Sequence, residues 1–443
     1  MPPPRRVHLV SLGCPKNRVD SESMLGQLVA LGWEVTDEPA LADALVVNTC
    51  SFIQPATEES IETVLGLASD RLPHQRLIVT GCMVQRYGEG LTDELPEVDG
   101  FLGTGELWRL AAMLDGEQRQ VHLGEAGWLE QAPVPRAGQW RPHSTYLKIT
   151  EGCHRRCSYC IIPTLRGPLR SRAQEQVVQE ARSLVGQGVR ELCLVGQDTT
   201  AWGQDLTGRP RLSGLLQALA GIDELDWIRV LYAHPRGVDD ALLDVMASSS
   251  RVCRYLDLPL QHVSAPVLKA MGRGMDRSTL EALIARIRDR VPGVVLRSTF
   301  MVGFPGETDQ DFEQLLEFVR EQRLERAGVF RYFAEDGTRA ATLPDQVPPE
   351  LQQERYDAII DAQAQVALAY HMSLVGRTIP VMVDGASPEH DMLVLGRHQG
   401  QAPEIDGVVH LGVPPDGVQL GSIVQATVTD GDAVDLAAEP VVD

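Results

Sequence analysis

Strand-like apolar runs alternate with helical patterns through most of this 443-residue chain, and this alternation restricts the possible folds more than any other feature. Strands joined through helices are typical of a parallel sheet. In the first block we predict strands at Val7–Leu12, Ala44–Asn48, Leu77–Thr80 and Val98–Leu102, with helices at Ser21–Leu31, Thr57–Ser69 and Glu106–Leu114. The sequence therefore predicts an N-terminal α/β domain with a parallel sheet.

A second block repeats strand and helix six times. The predicted strands are Tyr146–Ile149, Glu191–Val195, Ile228–Tyr232, Tyr255–Leu258, Val294–Val302 and Gly328–Phe333, and helices between them include Gln174–Gly186, Leu280–Arg290 and Asp309–Gln322. Six such units predict a partial (β/α)6 barrel, in which functional groups belong at the carboxyl ends of the strands. The segments GQDTTAWG, AHPRG, PLQH and GFPGET follow predicted strands, as expected for such a site.

The third block differs in composition from the first two. After a predicted helix at Pro349–Val375, the chain becomes rich in Val and Gly, with short β runs that suit a small antiparallel β-barrel of about five strands. We divide the chain into an N-terminal domain (1–118), a linker (119–142), a barrel core (143–373) and a C-terminal OB-like barrel (374–443). This last domain has two arginines against eleven acidic residues, a balance of −9, which is unfavourable for binding phosphate.

Cys153, Cys157 and Cys160 form a Cys-x3-Cys-x2-Cys motif just after the first strand of the predicted core. Three cysteines leave a 4Fe–4S cluster one ligand short, so one iron would stay open for a substrate or cofactor. A structural zinc site remains the alternative, with His154 as a cramped fourth ligand. Tyr159 places an aromatic ring beside the motif.

A second set of cysteines is spread along the first block. Cys14, Cys50 and Cys82 each follow one of the first three predicted strands. In a parallel sheet these positions share the carboxyl edge, where ligands gather. We therefore predict a second metal site with three protein ligands. The alternative is three unrelated small buried residues, because free cysteine is often buried.

The net charge of −21 argues against stable nucleic-acid binding, because acidic surfaces oppose contact with phosphates. No run approaches the length of a membrane span, so we expect no membrane association. Eight cysteines without an export signal predict a reducing compartment, and we expect a cytoplasmic protein.

With these motifs in place, the chain resembles the radical S-adenosylmethionine (SAM) superfamily and, through its flanking domains, the methylthiotransferases, whose C-terminal module is a TRAM domain. SLGCPKNRVDSE, EGCHRRCSYCIIPTLRGPLRSR, LDLPLQH and APEIDGVVHL resemble the branch that modifies an aspartate of ribosomal protein S-twelve. A second branch modifies adenosine in tRNA; it has an asparagine-rich turn in place of QDTT and a more basic C-terminal barrel. Both differences favour the ribosomal-protein branch.

The resemblance implies two 4Fe–4S clusters and SAM as cofactors. Cys153, Cys157 and Cys160 would hold the cluster that binds SAM, and Cys14, Cys50 and Cys82 an auxiliary cluster that carries the sulfur. Tyr159 would lie near the adenine, Gly196 and Gln197 near the SAM amino group, and Gly303 near the adenosyl moiety. The implied reaction is methylthiolation of the aspartate β-carbon through a 5′-deoxyadenosyl radical, with two SAM molecules consumed. The implied partners are S-twelve, free or in the small subunit, and an electron donor such as flavodoxin or ferredoxin; we expect a monomer.

Three other functions remain open from the sequence. These are methylthiolation of tRNA adenosine, electron transfer by a non-catalytic iron–sulfur protein, and RNA binding by a module with structural zinc. The arginines of RGPLRSR (Arg166, Arg170 and Arg172) could pair with carboxylates of SAM or substrate, but we expect an ordinary surface cluster of salt bridges. His234 and His262, at strand ends, could contact substrate or serve only as structural hydrogen-bonding residues.

Overall fold

The computed structural model describes residues 4–116, 118–127, 129, 135–138, 141–388, 390, 392–412 and 418–441. The predicted linker at 119–142 therefore lies partly outside the described residues. Short 3-10 turns occur at Pro39–Leu41, Leu107–Arg109, Thr199–Ala201, Pro235–Gly237 and Ala340–Thr342. No helix in the described part combines the length and apolar content needed to cross a bilayer.

The N-terminal domain is built on a parallel sheet with the strand order β2-β1-β3-β4-β5-β6. Its strands are β1 (Arg6–Ser11), β2 (Glu34–Val35), β3 (Ala44–Thr49), β4 (Arg76–Gly81), β5 (Gly100–Leu102) and β6 (Gln120–His122). Its helices are α1 (Pro15–Ala30), α2 (Gln54–Asp70), α3 (Cys82–Tyr87), α4 (Gly90–Glu94) and α5 (Leu110–Asp115). The predicted α/β domain is confirmed, and the short strands β2 and β6 are additions to it.

Helix α1 begins six residues before the predicted start at Ser21. Pro15 occupies its first turn, where the missing N–H carries no cost. The helix lies between the N-terminal sheet and the core, and even its polar residues Asn17, Asp20 and Ser23 are buried. Its first turns therefore lack the apolar periodicity on which the prediction depended.

The core carries a second parallel sheet with the order β14-β13-β12-β11-β10-β7, so β7 and β14 form the edges of an open, partial barrel, as predicted. Its strands are β7 (Ser144–Lys148), β8 (Thr150–Glu151), β9 (Arg170–Ser171), β10 (Glu191–Val195), β11 (Trp227–Val230), β12 (Val252–Asp257), β13 (Val295–Val302) and β14 (Arg326–Arg331), with β8 and β9 forming a separate antiparallel pair. Its helices are α6 (Ile162–Arg166), α7 (Gln174–Gly186), α8 (Leu212–Ala220), α9 (Asp240–Ser248), α10 (Ala265–Ala270), α11 (Arg277–Arg290), α12 (Asp309–Gln322) and α13 (Pro349–Met372).

The C-terminal domain is a closed five-stranded barrel, which confirms the predicted architecture. Its strands are β15 (Thr378–Ala386), β16 (Leu393–His398), β17 (Val409–Gly412), β18 (Ile423–Gly431) and β19 (Leu436–Pro440). One pair departs from the antiparallel expectation, because β17 and β19 run parallel where the barrel closes.

The connection between β16 and β17 packs against the amino ends of the core strands. Arg229 donates a hydrogen bond to the carbonyl of Gln399 at 2.5 Å, and the Tyr255 hydroxyl donates to Asp406 at 2.8 Å. Beside them Glu191 is fully buried and paired with Arg229 at 2.9 Å and Arg397 at 2.7 Å. The C-terminal barrel therefore closes the base of the core and leaves the carboxyl ends of its strands for the site.

Candidate active site

The structure brings Cys14, Cys50 and Cys82 to one edge of the N-terminal sheet. Their strands β1, β3 and β4 are neighbours, and Cys50 and Cys82 directly follow β3 and β4. Gly13 has a φ of +85°, and a side chain on it would come within 2.8 Å of the Cys50 sulfur. The loop that carries Cys14 therefore packs directly on Cys50.

Asn17, which the sequence analysis did not single out, fastens these loops together. Its amide nitrogen donates to the carbonyls of Leu12 and Thr49, both at 2.9 Å, and its amide oxygen accepts from the guanidinium of Arg166. Because Leu12 precedes Cys14 and Thr49 precedes Cys50, one fully buried side chain fixes the separation of two predicted ligands.

Burial keeps the Cys50 and Cys82 thiols protonated in the absence of metal, because it raises the pKa of each. Burial, with the neighbouring Cys82 and Cys14, raises the pKa of Cys50 to about 12. Burial also raises the pKa of Cys82, although Arg166 opposes the rise. Metal ligation requires thiolates, so loading this site would release protons.

Cys153, Cys157 and Cys160 lie on the loop that follows β7 and β8, and they line an open cavity of about 600 Å³. The Cys153 amide donates to the carbonyl of Gly167 at 3.1 Å, and the Arg155 amide donates to the Cys153 sulfur at 3.4 Å. Burial raises the pKa of Cys160 to about 12. A cavity of this size accommodates an inorganic cluster with a small-molecule ligand.

In the described part of the chain, no three His, Cys, Asp or Glu side chains converge on a single metal ion. A zinc ion needs its ligands around one centre, whereas a cubane cluster places each cysteine on a different iron. Ligands of a cubane therefore stand further apart than those of zinc. Each cysteine set supplies three thiols, the ligand type that an iron–sulfur cluster takes.

An apolar contact links the segment that follows Cys160 to Cys82. Ile161, next to Cys160 in the chain, packs with Leu165 and Cys82 in one buried group. The Thr104 hydroxyl of the N-terminal domain donates to the Leu165 carbonyl at 2.7 Å. The segment that follows Cys160 therefore packs on the N-terminal set across the domain boundary.

The predicted SAM contacts Gly196 and Gln197 lie at the carboxyl end of β10. The amide nitrogen of Gln197 donates to Glu151 at 2.6 Å, while its buried amide oxygen has no partner in the described structure. The buried Thr150 hydroxyl is also without a partner, and a side chain on Gly196 would collide with it. Two unsatisfied polar groups at one point indicate a polar ligand, because buried polar groups are normally hydrogen-bonded.

The other two predicted SAM contacts have structural surroundings of their own. Gly303 has a φ of +73°, its amide donates to Glu307 at 2.8 Å, and a side chain there would collide with Gln352 of α13. Helix packing is therefore sufficient to explain this glycine. Tyr159 packs against the apolar core of the partial barrel, and burial raises its pKa well above the usual value.

A buried network of four charges joins the two halves of the site. Lys148 contacts Asp20 and lies 3.1 Å from Glu151, while Arg166 lies 2.6 Å from Asp20 and 3.4 Å from Glu151. Because Arg166 also contacts Asn17 and Glu151 also contacts Gln197, the network runs from the Cys14 side to the Gln197 side.

The prediction that the RGPLRSR arginines form a surface cluster is wrong for two of them. Arg166 is only 3% exposed, because it lies at the boundary between the domains, and Arg172 is 1% exposed, because it packs at the base of α7. Arg170 is exposed. In the sequence, this burial could have been inferred only from Lys16, Asn17 and Asp20, whose spacing places them on one face of α1. The Lys16 ammonium also lies 3.5 Å from the centre of the Tyr232 ring, across the same boundary.

Both histidines considered as substrate contacts have structural partners. His234 accepts a hydrogen bond from the Arg236 amide at 3.2 Å, and His262 accepts one from the Ser264 amide at 3.0 Å. Burial lowers the pKa of His234 to about 2, with help from Arg273 and Arg155, and lowers that of His262 to about 3. Both rings are therefore neutral.

Comparison with protein families gives three matches along the chain. The profile described as Uncharacterized protein family UPF0004 matches residues 6–103, that of the Radical SAM superfamily matches residues 147–319, and that of the TRAM domain matches residues 375–441. The three matches correspond to the three domains seen in the fold.

Full-length relatives are similar over nearly the whole chain. The protein named ribosomal protein uS12 methylthiotransferase RimO from Geotalea uraniireducens (strain Rf4) is 47% identical, over 98% of this chain and 98% of that protein. The protein of the same name from Anaeromyxobacter sp. (strain K) is also 47% identical, over 98% of this chain and 93% of its own length.

Solved structures share the fold at low sequence identity. The radical SAM methyltransferase TsrM from Kitasatospora setae, with tryptophan and a SAM analogue bound, superposes with a TM-score of 0.53 at 15% identity, over 83% of this chain and 90% of that one. The cobalamin-dependent SAM radical enzyme OxsB, with aqua-cobalamin and SAM bound, gives a TM-score of 0.54 at 12% identity, over 81% and 56%. At these identities the similarity supports the fold alone.

Proposed function

The chain belongs to the ribosomal protein uS12 methylthiotransferase family RimO, and on that basis we propose how its residues divide the work of the reaction. It is a radical SAM enzyme that transfers a methylthio group to uS12, the protein called S-twelve above. One observation supports the assignment of residues more than any other: Cys14, Cys50 and Cys82 lie at one edge of the N-terminal sheet, and Ile161, next to Cys160, packs against Cys82.

The proposal assigns two 4Fe–4S clusters to the two sets. Cys153, Cys157 and Cys160 would hold one, and Cys14, Cys50 and Cys82 the other. When bound, these groups and SAM supply the radical chemistry and the methylthio group, which amino-acid side chains cannot provide. The target is the β-carbon of an aspartate, whose C–H bond lies beyond the reach of any protein base of ordinary pKa.

The remaining proposal concerns how SAM is held. The amide oxygen of Gln197 and the hydroxyl of Thr150 are the acceptors available for its ammonium group, and Gly196 leaves the space for it. We also retain Tyr159 as a neighbour of the adenine and Gly303 as a neighbour of the adenosyl group. The Glu307 carboxylate, which binds the Gly303 amide, fixes the shape of that turn.

The protein's own contribution is rigid positioning. Asn17 fixes the Cys14 and Cys50 loops relative to each other, and the four-charge network locks the N-terminal domain onto the core. Ile161 and Leu165 pack against Cys82 and shield that side of it from water. A reaction between groups on two domains depends on such fixed geometry.

The decisive experiment uses anaerobically reconstituted protein with SAM, sulfide and a reductant, and analyses both purified uS12 and bulk tRNA by mass spectrometry. We expect a gain of about 46 Da on one uS12 aspartate, the mass of CH3S replacing H. The same gain on tRNA adenosine alone would contradict the proposal.

A triple variant, Cys14→Ala with Cys50→Ala and Cys82→Ala, tests the division of labour between the two sets. We expect it to keep about half of the iron and to retain SAM cleavage, while methylthiolation is abolished. The control Cys193→Ala changes a cysteine packed in the core and should leave iron content unchanged. Full product formation by the triple variant would contradict the sulfur-carrying role of the N-terminal set.

The proposal extends to partners and compartment. We propose that the chain works as a monomer in the cytoplasm and receives electrons from a carrier such as flavodoxin or ferredoxin. Its acidic surface suits a basic protein substrate better than RNA, because opposite charges attract and acidic surfaces repel phosphates.

A further inference from the structure

The loop that carries Cys153, Cys157 and Cys160 lies where the open cavity of the candidate cluster site meets solvent. His154 and Arg156, which stand between the cysteines, are exposed, and both line the rim of the 600 Å³ cavity. Each exposed side chain is therefore only one to three residues from a predicted ligand. A partner that contacts His154 or Arg156 is therefore only a few residues away from the candidate cluster site.

This part of the surface is basic in a strongly acidic chain. Arg339 stands at the rim with His154 and Arg156, and a side chain on Gly272 would meet both the Arg156 carbonyl and the Arg339 guanidinium. Arg236 packs next to the neighbouring Gly274. We call the exposed residues His154, Arg156, Arg236 and Arg339 the basic rim.

The charges of the basic rim are available to a partner. In the described structure, Arg156, Arg236 and Arg339 form no ion pair with a carboxylate. Asp198, which is close by, is already paired with Arg155 at 2.9 Å. Two carboxylates lie in the turn before Arg339. Glu335 is paired with Arg86 at 2.7 Å, and Asp336 alone leaves the rim with a positive balance. Unpaired surface cations beside an open cavity attract an acidic partner and speed its association.

We propose that the basic rim is the docking surface for the electron donor, and that this donor is an acidic one-electron carrier protein. The inference rests on the proposed function, because radical SAM chemistry requires one electron for each SAM cleaved. The carrier loses that electron and the cluster held by Cys153, Cys157 and Cys160 gains it. Since the rate of electron tunnelling falls steeply with distance, the donor has to dock close to the loop that carries the three cysteines. RNA phosphate is the other polyanion that could bind here, but it offers no electron.

The test compares two reductants on the reconstituted full-length protein: reduced flavodoxin, an acidic carrier, and dithionite, a small ion that needs no docking surface. The variant is Arg156→Glu with Arg339→Glu. The control is Arg320→Glu, an exposed arginine in the last turn of α12, toward the opposite end of the core. The readouts are 5′-deoxyadenosine formation and direct titration of flavodoxin binding, with iron content measured for each protein.

We expect the double variant to raise the KM for flavodoxin about tenfold or more and to weaken flavodoxin binding equally, with a much smaller change in dithionite-driven turnover per iron bound. The Arg320→Glu control should match the unsubstituted protein, and added salt should weaken flavodoxin binding to the unsubstituted protein most. Unchanged flavodoxin binding in the double variant would overturn the proposal. A parallel assay measures methylthiolation of free uS12 and of uS12 within small subunits by mass spectrometry. A defect confined to the small subunits would also overturn the proposal, because it would assign the rim to RNA. Failure of the unsubstituted protein with both reductants would refute the proposed function instead, and the binding titration would still decide the docking surface.

Discussion

Arg166→Met is the substitution whose effect the structure specifies most closely. The guanidinium of Arg166 is 3% exposed and lies 2.6 Å from Asp20 and 3.4 Å from Glu151. Together with Lys148, the network holds two positive and two negative charges and is neutral. Methionine keeps most of the aliphatic volume but leaves two buried carboxylates facing one lysine. Removing one partner of a buried ion pair costs about 3–5 kcal/mol.

Thermal unfolding of the iron-free chain, followed by circular dichroism, measures this loss without interference from the clusters. At about 2.1 cal/mol/K per residue, a loss of about 4 kcal/mol lowers the Tm by about 4 °C if the chain unfolds as one unit. Arg277→Met is the matched control, because Arg277 also contacts carboxylates, at 2.7 Å and 3.2 Å, but on the surface. Its loss should stay below about 1 kcal/mol.

The double variant Arg166→Met with Asp20→Asn provides the sharper test. Removing Asp20 as well leaves Lys148 and Glu151 as a balanced pair at 3.1 Å. The second substitution should therefore restore part of the stability that the first removes. A further, additive loss would refute the view that charge balance, rather than the number of contacts, holds this boundary together.

Three further predictions concern separate parts of the molecule. Gln197→Leu should raise the KM for SAM about tenfold in a 5′-deoxyadenosine assay, through loss of one hydrogen bond to a charged group worth about 1.5 kcal/mol; an unchanged KM would remove Gln197 from the SAM site. Burial alone would raise the pKa of Glu191, but Arg397 and Arg229 lower it to about 2 from 4.5. A carboxyl group with a depressed pKa stabilises the fold above pH 4.5, and this contribution, on the order of 3 kcal/mol, is lost as the pH falls toward 2. The free energy of unfolding of Glu191→Gln should therefore fall less over that pH range than that of the unsubstituted protein. Gly303→Ala should destabilise the chain by at least about 1 kcal/mol in thermal unfolding, because alanine is strained at a φ of +73° and collides with Gln352, whereas Gly66→Ala, which meets open space, should not.

The sequence predicted the structure well where one physical cause, such as burial of a strand, determines both the residue pattern and the fold. Buried parallel strands need continuous apolar runs, so Glu191–Val195 was predicted with the bounds that the structure gives. The three cysteines that follow β1, β3 and β4 came together because neighbouring parallel strands end at the same edge.

The predictions failed where contacts between distant parts of the chain, rather than the local residue pattern, determine the structure. Helix α1 is buried on nearly all sides, so its start was placed six residues too late. Arg166 looked like a surface residue because its partner Asp20 lies 146 positions away and in another domain. The parallel pairing of β17 with β19 likewise depends on how the barrel closes, which no local run of residues encodes.

The closed base of the core has a consequence for biosynthesis. Translation delivers the core strands, with Glu191 and Arg229, well before Arg397 and the connection that begins near Gln399. Until those residues arrive, the lower end of the barrel stays open to water and the charges at its base are only partly compensated. A chain that stops short of them therefore lacks a finished core, even though every cysteine has been made. The order of synthesis thus ties a stable radical-generating core to synthesis of the C-terminal barrel.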